Sequence, residues 1–133
     1  MLFGGYPELF AEKLSENRSM MQSIKEKIKS GLPIIAECGG FMYLHDALAI
    51  DDKHTYPMVG VIPGKAFPTA KLQRFGYVRL YAKENNLLCN KNEELLAHEF
   101  HYWDSENCGS GFKAVKELSL IHISEPTRLR RIS

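Results

Sequence analysis

The stretch LPIIAECGGFMYL, residues 32–44, breaks a short apolar run with a cysteine and two glycines before the apolar pattern resumes. The segment LPIIAE is continuous, apolar and bounded by turn residues, which is typical of a strand buried on both faces of a parallel sheet. The spacing of the apolar residues after the glycines predicts a helix that ends near Ile50. A strand, a sharp turn and a helix in this order indicate an α/β fold with a doubly wound sheet.

Two further helices are predicted ahead of this strand, over 8–17 and 19–29. The second carries methionine and isoleucine at helical spacing among lysine and glutamate, which indicates a face that packs on the core. Ser19 is the expected N-cap of this helix, and Gly31 is expected to end it as the first residue beyond its C-cap.

The second half of the chain predicts strands. Four apolar and aromatic runs are separated by glycine, proline and asparagine clusters, at 58–64, 75–82, 95–103 and 111–118. The polar segment 51–57 is predicted to be a surface loop. The sequence contains no repeat and no linker-like tract, so these runs are expected to belong to one domain.

The composition excludes several classes of protein. The chain has 133 residues, of which 44% are hydrophobic and 25% charged, as in one globular domain. With 17 Lys and Arg against 16 Asp and Glu, the net charge of +1 gives no electrostatic signature for nucleic acid or an anionic membrane. No apolar run reaches the roughly 20 residues that cross a bilayer, and no secretory signal is found, so we expect a cytoplasmic protein. Three irregularly spaced cysteines predict neither a disulfide framework nor a metal site.

The turn at Cys38 has the pattern of a nucleophile elbow, in which small residues lie two positions to either side of the nucleophile. Ala36 and Gly40 are those small residues. The amides at the start of the following helix would stabilise a thiolate, and the Gly39 amide would be one donor to an oxyanion. A structural cysteine beside a Gly-Gly turn is the alternative that this motif alone leaves open.

A cysteine nucleophile needs a base, and HEFHYW at 98–103 offers two histidines. His98 and His101 lie on a predicted strand at an odd spacing of three, so only one of them can face a common site. A second oxyanion donor could come from the loop GGYPE at 4–8, because glycines let backbone amides approach a substrate closely.

The order and spacing of five segments identify a resemblance. They are GGYPELFAEKLSEN, GLPIIAECGGFMYL, MVGVIPG, RFGYV and HEFHYWDSE. Together these segments resemble the glutamine amidotransferase domains found at the C-terminus of cobyrinic acid a,c-diamide synthases, enzymes of cobalamin (vitamin B12) biosynthesis. The resemblance covers about 3–115 and implies a flavodoxin-like, three-layer α/β fold of the class I glutamine amidotransferase type.

The resemblance also implies a role for each matching residue. Cys38 would attack the side-chain amide of glutamine, and His101 would activate the thiol and protonate the leaving ammonia. The amides of Gly39, Gly5 and Gly4 would hold the oxyanion. Ammonia would pass to a synthetase domain expected upstream in the same chain, where ATP and Mg²⁺ activate the a and c carboxylates of cobyrinic acid; no cofactor is expected in the glutaminase part itself.

The sequence departs from the family pattern at two points, and these limit which residue roles and activities the resemblance implies for this chain. Many related amidotransferases have a glutamate two residues after the histidine, and that position here is Trp103. Glu99, Asp104 and Glu106 are therefore weak candidates for orienting the imidazole of His101. The sequence also has no GxxxxGK[ST] motif, so the chain is expected to be a fragment of the larger enzyme, truncated at both ends.

The expected division of the chain is an amidotransferase domain over 1–117 and a non-native tail over 118–133. The segment SLIHISEPTRLRRIS at the end resembles translated sequencing-adapter sequence, and no function is assigned to it. Alternatives to the cobyrinic acid enzyme are related amidotransferases that act on hydrogenobyrinic acid, nickel-sirohydrochlorin or cobyric acid precursors. Two further possibilities are a flavodoxin-like cysteine hydrolase or chaperone-type protein, and an inactive fragment.

Overall fold

The structure, a computed structural model, describes residues 1–72, 74–116 and 131–132 of the chain. A single 3-10 turn, Pro7–Phe10, precedes the first helix. The helices and strands follow one another as α1 Ala11–Glu16, α2 Arg18–Lys29, β1 Ile35–Ala36, α3 Gly39–Tyr43, β2 His45–Ala49, β3 Thr55–Pro57, β4 Ile62–Pro68, β5 Arg74–Ala82, β6 Glu94–His101, β7 Trp103–Ser105, β8 Phe112–Lys116 and β9 Arg131–Ile132.

Helix α2 agrees with the sequence prediction except at its cap. Asn17 is the N-cap, because its side-chain oxygen accepts a hydrogen bond from the Met20 amide at 3.3 Å. The prediction of Ser19 as the cap is wrong: the helix begins one residue earlier, so Ser19 already lies in its first turn. Gly31 ends the helix with φ +96°, a left-handed conformation that glycine adopts without strain, and this prediction is confirmed.

The helix after the elbow is shorter than predicted. Helix α3 ends at Tyr43, and the expected continuation to Ile50 is wrong because 45–49 form strand β2 instead. Strand β2 has partners on both sides: Leu48 pairs with Tyr56 of β3 in antiparallel fashion and with Ala66 of β4 in parallel fashion.

Within the described residues the strands form three groups. β3, β2, β4 and β7 make one sheet in that order, β6, β5 and β8 make a second, and β1 pairs with β9. Three of the strands predicted in the second half of the chain are present as β5, β6 and β8, with a break between β6 and β7. The fourth prediction, at 58–64, is only partly right, because the strand begins at Ile62 and continues to Pro68. The loop predicted over 51–57 is a turn only as far as His54, since Thr55–Pro57 form β3.

Strand β1 leads directly into the elbow and is bordered by the start of the chain. Leu2 bridges Ala36 in parallel fashion; its amide donates to the Ile35 carbonyl at 2.9 Å, and its carbonyl accepts from the Glu37 amide at 3.0 Å. This is a single parallel bridge, whereas the strand that pairs with β1, β9, is antiparallel, so the parallel sheet predicted around LPIIAE is represented only by Leu2 in the described residues. Of the predicted tail over 118–133, only 131–132 are described, so that prediction lies mainly outside the described residues.

The described residues form three apolar core clusters, and two of them meet at α3. Met42 packs in one cluster with Leu48, and Leu44 packs in the other with Ile34. Leu44 and Leu48 are fully buried. Helices and sheets sharing these clusters confirm the α/β class, and the segment after Cys38 is anchored on both sides.

Candidate active site

The backbone at Cys38 has the geometry of a nucleophile elbow. Cys38 stands between β1 and α3 with φ +48° and ψ −113°, a left-handed φ that a residue with a Cβ rarely adopts. Its side chain is exposed. A strained residue that presents its thiol to solvent at a strand-to-helix turn fits a nucleophile better than a structural cysteine.

The two glycines after Cys38 are required by close backbone contacts. A Cβ on Gly39 would lie 2.5 Å from the Gly5 carbonyl oxygen, and a Cβ on Gly40 would lie 2.6 Å from the Leu2 carbonyl oxygen. Real Cβ atoms do not approach other atoms so closely. The Cys-Gly-Gly sequence therefore allows the start of the chain to pack directly against the elbow.

The glycine loop at the start of the chain lies beside the nucleophile. A Cβ on Gly4 would lie 3.6 Å from the Cβ of Cys38, and the Gly5 carbonyl packs against Gly39. Gly39 is the first residue of α3, where a backbone amide has no acceptor within the helix. The structure thus brings Cys38, Gly39, Gly4 and Gly5 together, whereas their roles as oxyanion donors stay predictions.

His101 lies at the end of β6 with its ring oriented by the main chain. Its Nδ1 donates to the Trp103 carbonyl oxygen at 2.5 Å, and because a carbonyl only accepts, the proton belongs on Nδ1. Its Nε2 is buried and, within the described part of the chain, has no hydrogen-bond partner. A general base needs such a free lone pair, together with hydrogen-bond reach to the proton that it takes.

The other histidine of the motif lies on the opposite face of β6. His98 packs edge-on against the rings of Phe75 and Tyr77, with centroid distances of 5.7 and 5.0 Å. Ala97 and Glu99, in alternate positions, are buried. The expectation that only one of the two histidines can face a common site agrees with this alternation.

The three carboxylates proposed from sequence do not bond the His101 ring, since Trp103 occupies Nδ1 and Nε2 has no partner among the described residues. Asp104 accepts from the Ser105 amide, Glu106 accepts from the Lys65 amide at 2.9 Å, and Glu99 is buried in β6. Any catalytic role for them stays a prediction. The sequence analysis did not predict the Trp103 carbonyl as the partner of Nδ1, because a main-chain acceptor cannot be recognised from the residue type.

Cys38 and His101 are carried by separate parts of the fold. No hydrogen bond between described residues joins the Cys38 thiol to His101, whose contacts are with β7. The link between them is the packing of α3, β2, β4 and β7. Beside the elbow, burial raises the pKa of Tyr43, the last residue of α3.

Other kinds of site are not found in the described part of the chain. Its His, Cys, Asp and Glu residues include no cluster of three that could hold a metal ion. None of its helices is both long enough and apolar enough to span a membrane. A groove of about 360 Å³ contains none of the predicted site residues; it is lined by Pro33, Ile34, Glu84, Asn85, Asn86, Leu87, Gly111 and Phe112.

Comparison with known proteins agrees with this geometry. The model of the CobB/CobQ-like glutamine amidotransferase domain matches residues 1–116. The chain is 48% identical over 99 residues to a cobyrinate a,c-diamide synthase of Caldanaerobacter subterraneus, an alignment that covers 74% of this chain and 22% of that protein. For the enzymes of the same name from Priestia megaterium and Listeria monocytogenes, the identities are 40% over 116 residues and 39% over 127 residues. These alignments cover 87% and 96% of this chain, and 24% of each relative.

The chain thus spans less than a quarter of the length of these curated relatives. The family match includes the elbow, the glycine loop and the HEFHY histidine. The α/β architecture agrees with the flavodoxin-like fold that the resemblance implied. The chain belongs to the CobB/CobQ-like glutamine amidotransferase domain family.

Proposed function

We propose that this chain hydrolyses glutamine and that its ammonia serves the amidation of cobyrinic acid at the a and c carboxylates. The observation that carries the proposal is the backbone of Cys38, whose left-handed φ presents an exposed thiol against the Gly4–Gly5 loop. The name shared by the curated relatives supports the choice of tetrapyrrole.

The reaction begins at the Cys38 sulfur. The thiol proton passes to Nε2 of His101, and the thiolate attacks the side-chain amide carbon of glutamine to give a tetrahedral oxyanion. The amides of Gly39 and Gly5 stabilise this oxyanion. The proton on Nε2 then goes to the leaving nitrogen, so that ammonia departs and a glutamyl thioester remains on Cys38.

Water completes the cycle. Nε2 of His101 takes a proton from the attacking water, and the resulting tetrahedral intermediate collapses with cleavage of the C–S bond. Nε2 then returns the proton to the departing sulfur, which restores the thiol as glutamate leaves. The Nδ1–H bond to the Trp103 carbonyl fixes the tautomer, so that Nε2 is the nitrogen that takes the proton in both steps. The proposed chemistry therefore needs a Cys–His dyad and no third side chain.

The amidation itself belongs to a different part of the enzyme. We assign ATP and Mg²⁺ to that part, because the 133-residue sequence contains no GxxxxGK[ST] phosphate-binding loop. The greater length of the relatives supports a synthetase domain in cis as the acceptor of ammonia. We also propose a cytoplasmic location.

Covalent trapping tests the nucleophile. We expect the glutamine analogue 6-diazo-5-oxonorleucine to label Cys38, and we expect ammonia release from glutamine to disappear in Cys38→Ser. Cys108→Ser is the matched control, since Cys108 is also exposed but its thiol contacts Asp104 and Ser105, away from the elbow. Labelling that persists in Cys38→Ser, or that is lost in Cys108→Ser, would contradict the assignment.

A further inference from the structure

We propose that His45 and Ser105 form a hydrogen-bonded link that holds the Cys38 elbow in place relative to the strand that orients His101. Both are then positioning residues, which act through other groups and do not touch the substrate. The catalytic consequence rests on the proposed function, whereas the link itself is a statement about the fold.

At one end, the link is bonded to α3, the helix that follows Cys38. His45 is fully buried, and its Nδ1–H donates to the Phe41 carbonyl oxygen at 2.9 Å. The two rings also pack edge-on with a centroid distance of 4.7 Å. Phe41 lies three residues after Cys38 within α3, so the ring of His45 fixes the helix that follows the nucleophile.

The other end is on β7. The Ser105 hydroxyl oxygen lies 2.6 Å from Nε2 of His45, across a separation of 60 residues. The single proton of this hydroxyl can go to Nε2 or to the Asn107 carbonyl oxygen, which lies 2.9 Å from the hydroxyl oxygen. Ser105 also accepts from the Asn107 amide at 2.9 Å, which fixes the position of its oxygen.

Strand β7 is also the strand that orients the base. Trp103 begins this strand, and its carbonyl accepts from Nδ1 of His101. A continuous path therefore runs from Cys38 through Phe41, His45 and Ser105 to Trp103, and then to the base.

His45 is a polar residue at a buried position, which indicates that it has a role other than packing in the core. An apolar side chain could occupy the space without the cost of burying a polar ring. A ring that uses both nitrogens on two distant segments instead fixes their relative placement, and catalytic geometry is sensitive to displacements of about 1 Å.

The test compares variants at the two ends. His45→Gln and Ser105→Ala break the link, the double variant removes it, and Ser105→Thr keeps the hydroxyl. His54→Gln and Ser30→Ala are the matched controls, because both residues are exposed and bond only locally. The readouts are kcat and KM for glutamine hydrolysis and amide hydrogen exchange at 39–43 and 103–105, all measured on the full 133-residue chain.

We expect each single variant to lower kcat by about ten-fold or more while KM changes by less than about two-fold. Exchange should rise in both segments whichever end is changed, and the double variant should add little to either single one. Ser105→Thr and the two controls should resemble the wild type.

Exchange that rises only beside the substituted residue, or effects of the two ends that simply add, would overturn the link. If His45→Gln fails to fold, Ser105→Ala still tests the link. Ser105 is only partly buried, so its substitution disturbs the fold less. If the wild-type chain releases no ammonia from glutamine, the proposed function fails, and hydrogen exchange still decides whether the link exists.

Discussion

Nδ1 of His101 lies 2.5 Å from the main-chain carbonyl oxygen of Trp103, which leaves Nε2 buried and unpartnered among the described residues. A main-chain acceptor holds the ring as a carboxylate would, but without adding a charge beside it. The tautomer needed for proton transfer is therefore set by the turn between β6 and β7.

His101→Asn is expected to remove the base while leaving the thiol in place. We expect kcat for glutamine hydrolysis to fall by about 10²–10⁴-fold, the usual contribution of a general acid–base group. Alkylation of Cys38 by iodoacetamide should continue, because the elbow does not depend on His101. A variant that retains its glutaminase activity would remove His101 from the mechanism.

The two carboxylates that follow His101 in the sequence are expected to matter little to the chemistry. Asp104→Asn and Glu106→Gln should each lower kcat by less than about three-fold, far below the effect of a general base. The reason is that their oxygens accept from the Ser105 and Lys65 amides. Steady-state kinetics on each variant checks this, and a large fall in kcat at unchanged stability would instead indicate an acidic third member.

Gly39→Ala is expected to destabilise the fold. Its Cβ would lie 2.5 Å from the Gly5 carbonyl oxygen, so the loop or the elbow must shift, at a cost of about 1–3 kcal/mol in the free energy of unfolding. Gly111→Ala is the control, since a Cβ there meets nothing within 4 Å. Urea denaturation of both variants makes the comparison, and equal midpoints would show that the contact relaxes freely.

The cap of α2 can be tested by two neighbouring substitutions. Asn17→Ala should lower the free energy of unfolding by about 1 kcal/mol, because it removes the acceptor for the Met20 amide. Ser19→Ala should change it by less than about 0.5 kcal/mol, as expected of an exposed site. Thermal or urea unfolding of the two variants measures both values, and the reverse order would restore Ser19 as the cap.

Leu48→Ala tests the apolar cluster beneath the elbow. Leu48 is fully buried between β3 and β4, so the variant should lose about 2–5 kcal/mol of unfolding free energy in urea denaturation. Leu9→Ala, at a side chain that is 70% exposed, is the matched control. Similar losses at both positions would contradict the assignment of the core.

Much of the site was predictable because its constraints are local. The small residues around Cys38 predict a sharp turn, and the turn is there with its left-handed cysteine. The Gly-Gly loop and the motif histidine were identified by the family pattern, while their surroundings required the structure. The partner of Nδ1 could not be predicted, since every residue has a carbonyl and only the fold decides which one faces the ring.

The error after the elbow has a physical cause. Leu44 and Leu48 are four residues apart, a spacing that keeps two side chains on one face in a helix and also in a strand. Periodicity therefore could not separate the two structures over such a short run. The segment forms a strand because β3 and β4, which come later in the chain, supply backbone hydrogen-bond partners to β2.

The φ of +48° at Cys38 also limits which nucleophiles this site can accept. Serine has the same unbranched Cβ as cysteine and can occupy that conformation, whereas the branched Cβ of threonine makes it an outlier there. Of the two aliphatic hydroxyl residues, serine alone therefore fits this backbone, so Cys38→Ser removes the thiol without distorting the elbow. At this elbow, backbone shape restricts the available chemistry before acidity or nucleophilicity is considered.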